Sequence, residues 1–321
     1  MNEDTIRRIK MVAVGKVSMK QVQNAWRGRS ALRGYHFGFN LKTLRPNEAS
    51  LRDWFVEAQK AGVTGRKDIE ATAYVTPLHA YVARNAPDFR VARGIQEIHW
   101  ASPGSHTNAT HVEAVLKDFP NIDAVLVNHS EVIAEQGRTL EQAAGQVRMA
   151  LRTTVEERII QHITLCVGED RATYEKGTTT ALRFVEDQVR TVLESAGAKA
   201  EDMGRIGIAY EPRFAIQVGN VAGIPPTDAH IKTMGWGILQ TVAEVVGLEG
   251  MSEMFTLQYG GSMKGPKDEK APVQRFVGPG NAVESDLYNG GLIGTAGADP
   301  VTAASILDKI ENLITGSNGG E

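Results

Sequence analysis

A lone carboxylate, Glu211, closes the apolar run "IGIAYE" (206–211) and is followed at once by Pro212 and an almost uncharged stretch reaching Gly219. Other short apolar runs end in polar residues too. Asn40 has Lys42 just beyond it, "NHSE" spans Asn128 to Glu131, and the turns "YGGS" (259–262) and "GTAG" (294–297) follow two further runs. The set has a chemical sense. A carboxylate can remove a proton from a carbon beside a carbonyl, but that carbon acid is very weak, so both oxygens of the resulting enediolate need electrostatic stabilisation. A neutral imidazole such as His129 and an ammonium such as Lys42 supply it, and glycine-rich turns offer bare backbone N–H groups that suit a phosphate. Each feature alone is also what an ordinary core or surface offers. Their joint placement at run ends carries the reading.

The elements that must position these groups form a repeating series. Eight short apolar runs are predicted as strands: "HFGFN" (36–40), "IEATAYV" (69–75), "FRVARGIQ" (89–96), "AVLVN" (124–128), "ITLCVG" (163–168), "IGIAYE" (206–211), "FTLQYG" (255–260) and "GLIGT" (291–295). Runs this short and uniformly apolar suit strands buried on both faces. Helical patterns lie between them. One has Asn47 as its cap, Leu51, Trp54, Phe55 and Ala58 on one face, and Gly62 as its stop; another carries Leu182, Val185, Val189 and Val192 on one face. This alternation predicts an α/β chain folded as a (β/α)8 barrel, whose active site gathers at the C-terminal strand ends. An open doubly wound sheet would want a glycine-rich phosphate loop after its first strand, and "FNLKT" is not one.

Bulk properties narrow the classes. The chain has 321 residues, 42% hydrophobic and 23% charged, with a net charge of -3, which gives no reason to expect nucleic acid or an acidic membrane surface as partner. One cysteine, Cys166, excludes an internal disulfide. With no long apolar run and no secretory leader pattern, a cytoplasmic protein without membrane association is expected. Residues 1–34 form a basic extension, 35–317 the barrel domain and 318–321 a tail. His99, His106 and His111 cluster near one loop, yet neither cysteines nor carboxylates stand at ligand spacing, so no metal is expected. "NAT" (108–110) matches a glycosylation acceptor without meaning in a cytosolic protein.

With those residues in hand, the chain resembles the triosephosphate isomerase family from about residue 36 to 315. "FNLKT" is similar to its strand-one motif, giving Asn40 and Lys42. "NHSE" resembles the histidine motif, giving His129 as electrophile and Glu131 as its support, and "CVGED" the strand-five motif with Cys166 and Glu169. "AYEPRFAI" resembles the family's most specific signature, with Glu211 as base and 212–222 as the lid. "YGGS" and "LIGTAG" (292–297) resemble its two phosphate-cradling turns, and "PGSHT" (103–107) the loop whose threonine, here Thr107, reaches a neighbouring subunit. That family is itself the standard example of a carboxylate and a neutral imidazole sharing proton transfer.

The resemblance implies an intramolecular oxidoreductase interconverting glyceraldehyde 3-phosphate and dihydroxyacetone phosphate in glycolysis and gluconeogenesis. It implies no cofactor, a small phosphorylated sugar as substrate, and a homodimer or larger homo-oligomer. Phosphate contacts fall to Gln217, Gly219, Gly261, Ser262, Gly294 and Thr295, and lid support to Pro212, Phe214, Tyr259 and Glu169. Departures leave room for other readings. Phe214 stands where the family carries tryptophan, Gln217, Val218 and Gly219 replace its glycine–threonine–glycine tip, and Thr295 replaces a glycine. Val132 and Ile133 replace a double arginine, and "MKGPKDEKAPVQRFVGPGN" (263–281) is longer than the usual connection. A four-carbon tetrulose phosphate from polyol breakdown is the alternative substrate. A non-catalytic sugar-phosphate binder is the third reading, against which the retained Glu211 argues.

Overall fold

The computed structural model describes residues 17–29, 34–84, 91, 93–104, 110–215, 223–261, 277 and 287–317. Eight strands pair in parallel, each with the next: β1 (Tyr35–Asn40), β2 (Ile69–Val75), β3 (Gly94–Ile95), β4 (Ala124–Val127), β5 (His162–Val167), β6 (Ile206–Tyr210), β7 (Thr256–Tyr259) and β8 (Gly290–Ile293). Pairing of β1 with β8 closes the barrel. Helices including Glu48–Lys60, Leu140–Arg152, Thr178–Ala196, Asp228–Glu253 and Pro300–Ser317 cover its outside. This is the (β/α)8 architecture the apolar runs predict.

Local chemistry explains the elements. The Asn47 side chain accepts the Ser50 N–H at 3.0 Å to cap helix Glu48–Lys60, which buries Leu51, Trp54, Phe55 and Ala58 on the barrel. Helix Thr178–Ala196 buries Val185, Val189 and Val192 and stops at Gly197 in the left-handed region. Of the described residues in the run 89–96, only Gly94 and Ile95 are strand. Val91 O accepts both Ala73 N–H and Arg93 N–H, and this tight turn interrupts the ladder just before Gly94. Within the amino-terminal extension, helix Met19–Arg27 buries Val22 and Trp26, and the Trp26 indole donates to Leu287 O at 3.1 Å.

Side chains from alternate positions fill the barrel: Tyr74, Ala124, Leu126, Cys166, Ala209 and Leu292 make its apolar middle. The lower mouth, at the strand N-termini, is polar instead. His36, only 2% exposed, meets the Thr72 hydroxyl at 3.1 Å and the Gln258 amide at 2.9 Å. Beside it His162 stacks on Phe255, and Arg93 joins Glu70 to Asp123. A cavity of about 600 Å³ opens there, lined among others by His36, Glu70, Arg93 and His162, at the opposite mouth from Glu211.

Candidate active site

The upper mouth gathers the groups that the sequence singles out. Strand pleating alternates faces, so Glu211, two residues beyond the inward-facing Ala209, turns its side chain into the barrel mouth. It is 3% exposed. A carboxylate so buried must be partnered. Its Oε2 accepts the Ser130 N–H at 3.1 Å, and its Oε1 lies 3.1 Å from His129 Nε2.

His129 reaches this position through a break in the pleat. Asn128 sits at φ 61°, in the left-handed region that few residues other than glycine adopt, and its amide ties β4 to Cys166 O at 3.0 Å. His129 then caps helix Ser130–Gln136, with Nδ1 accepting the Glu131 N–H at 3.3 Å. That bond leaves the proton of the neutral ring on Nε2, facing Glu211.

Lys42 also adopts a left-handed conformation, at φ 49°, with its N–H donated to Asn40 Oδ1 at 3.2 Å. Gln96 Nε2 donates to Tyr74 O and Lys42 O, bracing the same turn. The Lys42 ammonium bonds Glu131 Oε1 at 2.5 Å. Asn40, Lys42, Glu131, His129 and Glu211 thus form one connected rim. Gly294 belongs to it as well: a Cβ there would stand 3.5 Å from Lys42 Cε and 3.9 Å from Nζ.

The electrostatics follow from this packing. Burial pushes the Glu211 carboxyl up, but the charge and hydrogen bond of His129, with the Ser130 N–H and the Cys166 thiol, hold it below its ordinary value. Burial likewise pulls His129 down, and the Glu211 carboxylate outweighs it and raises the imidazole. Burial, then Glu211, pushes the Cys166 thiol well up. An ionised carboxylate and a proton-bearing imidazole nitrogen therefore face one another at a rim that also carries an ammonium.

Other sequence-predicted residues lie around this rim. Pro212 continues directly from Glu211, and Phe214 lies in the single 3-10 turn Arg213–Ala215. Tyr259 and Gly261 are buried at the end of β7, whereas Thr295 is exposed where a 3-10 turn follows β8. Glu169 is fully buried but bonds Tyr210 and His230 rather than the rim. Gln217, Gly219, Ser262 and Thr107 lie outside the described residues, as do His106 and all of the segment 263–281 except Val277. His99 stacks on Trp100 with His111 5.0 Å away.

Sequence reasoning missed several participants. The Ser130 amide binds Glu211 through its backbone, which no residue type announces. Gly260 packs so closely that a Cβ would stand 2.8 Å from Glu211 Cγ, and Gly168 so closely that one would meet Glu211 O at 1.8 Å. Their place at strand ends was the available signal.

Comparison with known proteins agrees with this geometry. The family model described as triosephosphate isomerase matches residues 38–310. Among curated relatives, the triosephosphate isomerase of Treponema denticola is 29% identical over 83% of this chain and 94% of its own length. That of Chlorobium phaeobacteroides is 31% identical over 70% of this chain and 78% of its own. That of Caldanaerobacter subterraneus is 32% identical over 62% and 74%, respectively. With a family match spanning most of its length and a barrel rim built on Glu211 and His129, the chain belongs to the triosephosphate isomerase family.

Proposed function

We propose that the protein interconverts glyceraldehyde 3-phosphate and dihydroxyacetone phosphate through an enediolate. The observation that carries this reading is the 3.1 Å approach of the Glu211 carboxylate to His129 Nε2, next to the Lys42–Glu131 pair. Glu211 leaves Ser130 and His129 to take the proton from one substrate carbon and returns it to the other. His129 donates from Nε2 to the carbonyl oxygen and moves protons between the two oxygens. Lys42, placed by Asn40 and Glu131, offsets the charge that develops on the enediolate and that of the phosphate.

This reading puts the phosphate toward the turns after β7 and β8, where Gly260 packs on Glu211 and Gly294 on Lys42, with Gly261, Ser262, Thr295, Gln217 and Gly219 as its cradle. Pro212, Phe214, Tyr259 and Glu169 support the segment that follows Glu211. The same reading makes the protein a cytoplasmic homo-oligomer, with Thr107 contributing at the subunit contact, serving glycolysis and gluconeogenesis. No helix among the described residues is long and apolar enough to cross a membrane.

Turnover of glyceraldehyde 3-phosphate measured beside erythrulose phosphates tests the substrate. The triose is expected to be the faster by at least about tenfold, of the order a methylene-sized misfit costs. Negligible triose turnover with fast tetrulose turnover overturns the assignment. Lys42→Met tests the electrostatic role. Its loss is expected to lower kcat/KM by about a hundredfold or more. Stability changes by less than about 1 kcal/mol, since Glu131 is 47% exposed. Thermal unfolding and initial rates on the same preparation separate the two effects.

A further inference from the structure

Glu169 and His230 form a buried pair that the proposed proton transfer does not use. The Glu169 carboxylate is fully buried, and its Oε1 accepts from both His230 Nε2 at 2.7 Å and the Tyr210 hydroxyl at 3.0 Å. Its Oε2 has no hydrogen-bond partner among the described residues, and neither has the buried Nε of Arg213. Buried polar atoms left unspent in a native core mark a functional constraint more than optimal packing. The other ring nitrogen of His230 meets the Thr178 hydroxyl at 3.4 Å.

The pair sits where the chain leaves Glu211. Glu169 O accepts the Arg213 N–H at 3.0 Å, so the same residue holds both His230 and the backbone two positions beyond the base. Phe214, one residue on, stacks on Tyr174 with ring centroids 3.8 Å apart, and the His230 ring stands edge-on to both. Phe214 O in turn accepts the Ile224 N–H at 2.9 Å, and Thr227 caps the helix on which His230 rides. The two described ends of the segment after Glu211 therefore converge on one cluster.

We propose that His230 is a positioning residue for Glu211, acting through Glu169 and the Phe214–Tyr174 stack. The inference rests on the isomerase reading above. With its side chain bonded only to Tyr210, Glu169 holds Arg213 and Phe214 less firmly, and a displacement of about 1 Å at a reacting group can cost a hundredfold in rate.

The test compares His230→Leu, His230→Gln and Tyr174→Leu. Glutamine places an N–H close to where the imidazole Nε2 presents its own, so it keeps the bond to Glu169. We expect His230→Leu to lower kcat by about tenfold to a hundredfold with KM within about threefold, and His230→Gln to restore most of the loss. Tyr174→Leu, at a half-buried position, is expected to lower kcat in the same sense without touching Glu169. Hydrogen exchange at the Arg213 amide, which needs no substrate, is expected to speed up in His230→Leu while β5 and β6 exchange as in the wild type. Wild-type kcat in His230→Leu, or equal losses in the leucine and glutamine variants, overturns the proposal. If the wild type isomerises neither triose nor tetrulose phosphate, the function reading fails by itself, and unchanged Arg213 exchange then overturns this inference independently.

Discussion

Glu211→Asp is expected to leave the barrel folded and to lower kcat by about a thousandfold, within the range that a positioned general base contributes. The backbone at this point is rigid. Glu211 N–H donates to Val167 O at 2.7 Å, and Gly260 N–H to Tyr210 O at 2.8 Å, so the neighbouring strands fix its Cα from both sides. Shortening the side chain by one methylene withdraws the carboxylate by about 1.5 Å, and nothing in β5, β6 or β7 can shift to restore it. Gly260 leaves room for the glutamate, since a Cβ there would stand 2.8 Å from Glu211 Cγ. The lost methylene and the weakened bonds to Ser130 and His129 together cost about 2–4 kcal/mol of stability, so thermal unfolding should come earlier while circular dichroism shows a native barrel. KM should move little, since the phosphate contacts are untouched. A kcat within about threefold of wild type removes Glu211 as the base. In the wild type, the acid limb of kcat/KM is expected below the ordinary glutamate range, because His129, Ser130 and Cys166 hold the free carboxyl down.

Much of this site is legible in the chain because strand ends are legible. Eight apolar runs of the right length mark the barrel, and the rule that chemistry collects at their C-termini selects Asn40, Lys42, His129, Glu131 and Glu211, which the structure joins into one rim. What escapes is backbone geometry. Nothing in the letters of Asn128 and Lys42 says that both take left-handed conformations, yet those two turns bring His129 and the ammonium to the rim. In run 89–96 the described residues Val91, Arg93 and Gln96 fall outside the strand, and the Arg93 N–H turns back to Val91 O, which composition does not encode. Long-range pairs escape for another reason. His230 lies 61 residues from Glu169, and only the closed barrel sets the start of helix Asp228–Glu253 against the end of β5. The polar lower mouth escapes in the same way, since His36 meets Thr72 and Gln258 only once the strands pair.

That histidine governs the second large effect, the response of stability to acid. Burial, the dominant cause, draws the His36 imidazole down to about 3 from its ordinary 6.5, and nearby His162 and Arg93 add to this while Glu70 opposes it. The folded state therefore binds a proton less readily than the unfolded chain. Its contribution is fully present above pH 6.5 and is lost progressively as pH falls from 6.5 toward 3, by about 1.4 kcal/mol per pH unit and about 5 kcal/mol in all. Two carboxyls share this window with the opposite sign: burial raises Glu97 and Glu186 above their ordinary 4.5, so their contribution is lost as pH rises from there, in wild type and variant alike. Glu70, held at about 2 by its hydrogen bond to His162 and by surrounding positive groups, loses its contribution only below about pH 4.5. His129, raised by Glu211, works in the opposite sense, its contribution being complete below pH 6.5 and lost as pH rises through its folded value. The difference in urea unfolding between wild type and a His36 variant from pH 4.5 to 6.5 thus isolates His36. The wild type should lose stability steeply across that interval. His36→Asn should start lower at pH 7 by about 1–2 kcal/mol, having given up part of its bonding to Thr72 and Gln258, and then lack the His36 slope. Equal slopes in the two proteins would place the acid response elsewhere and strip the lower mouth of this role.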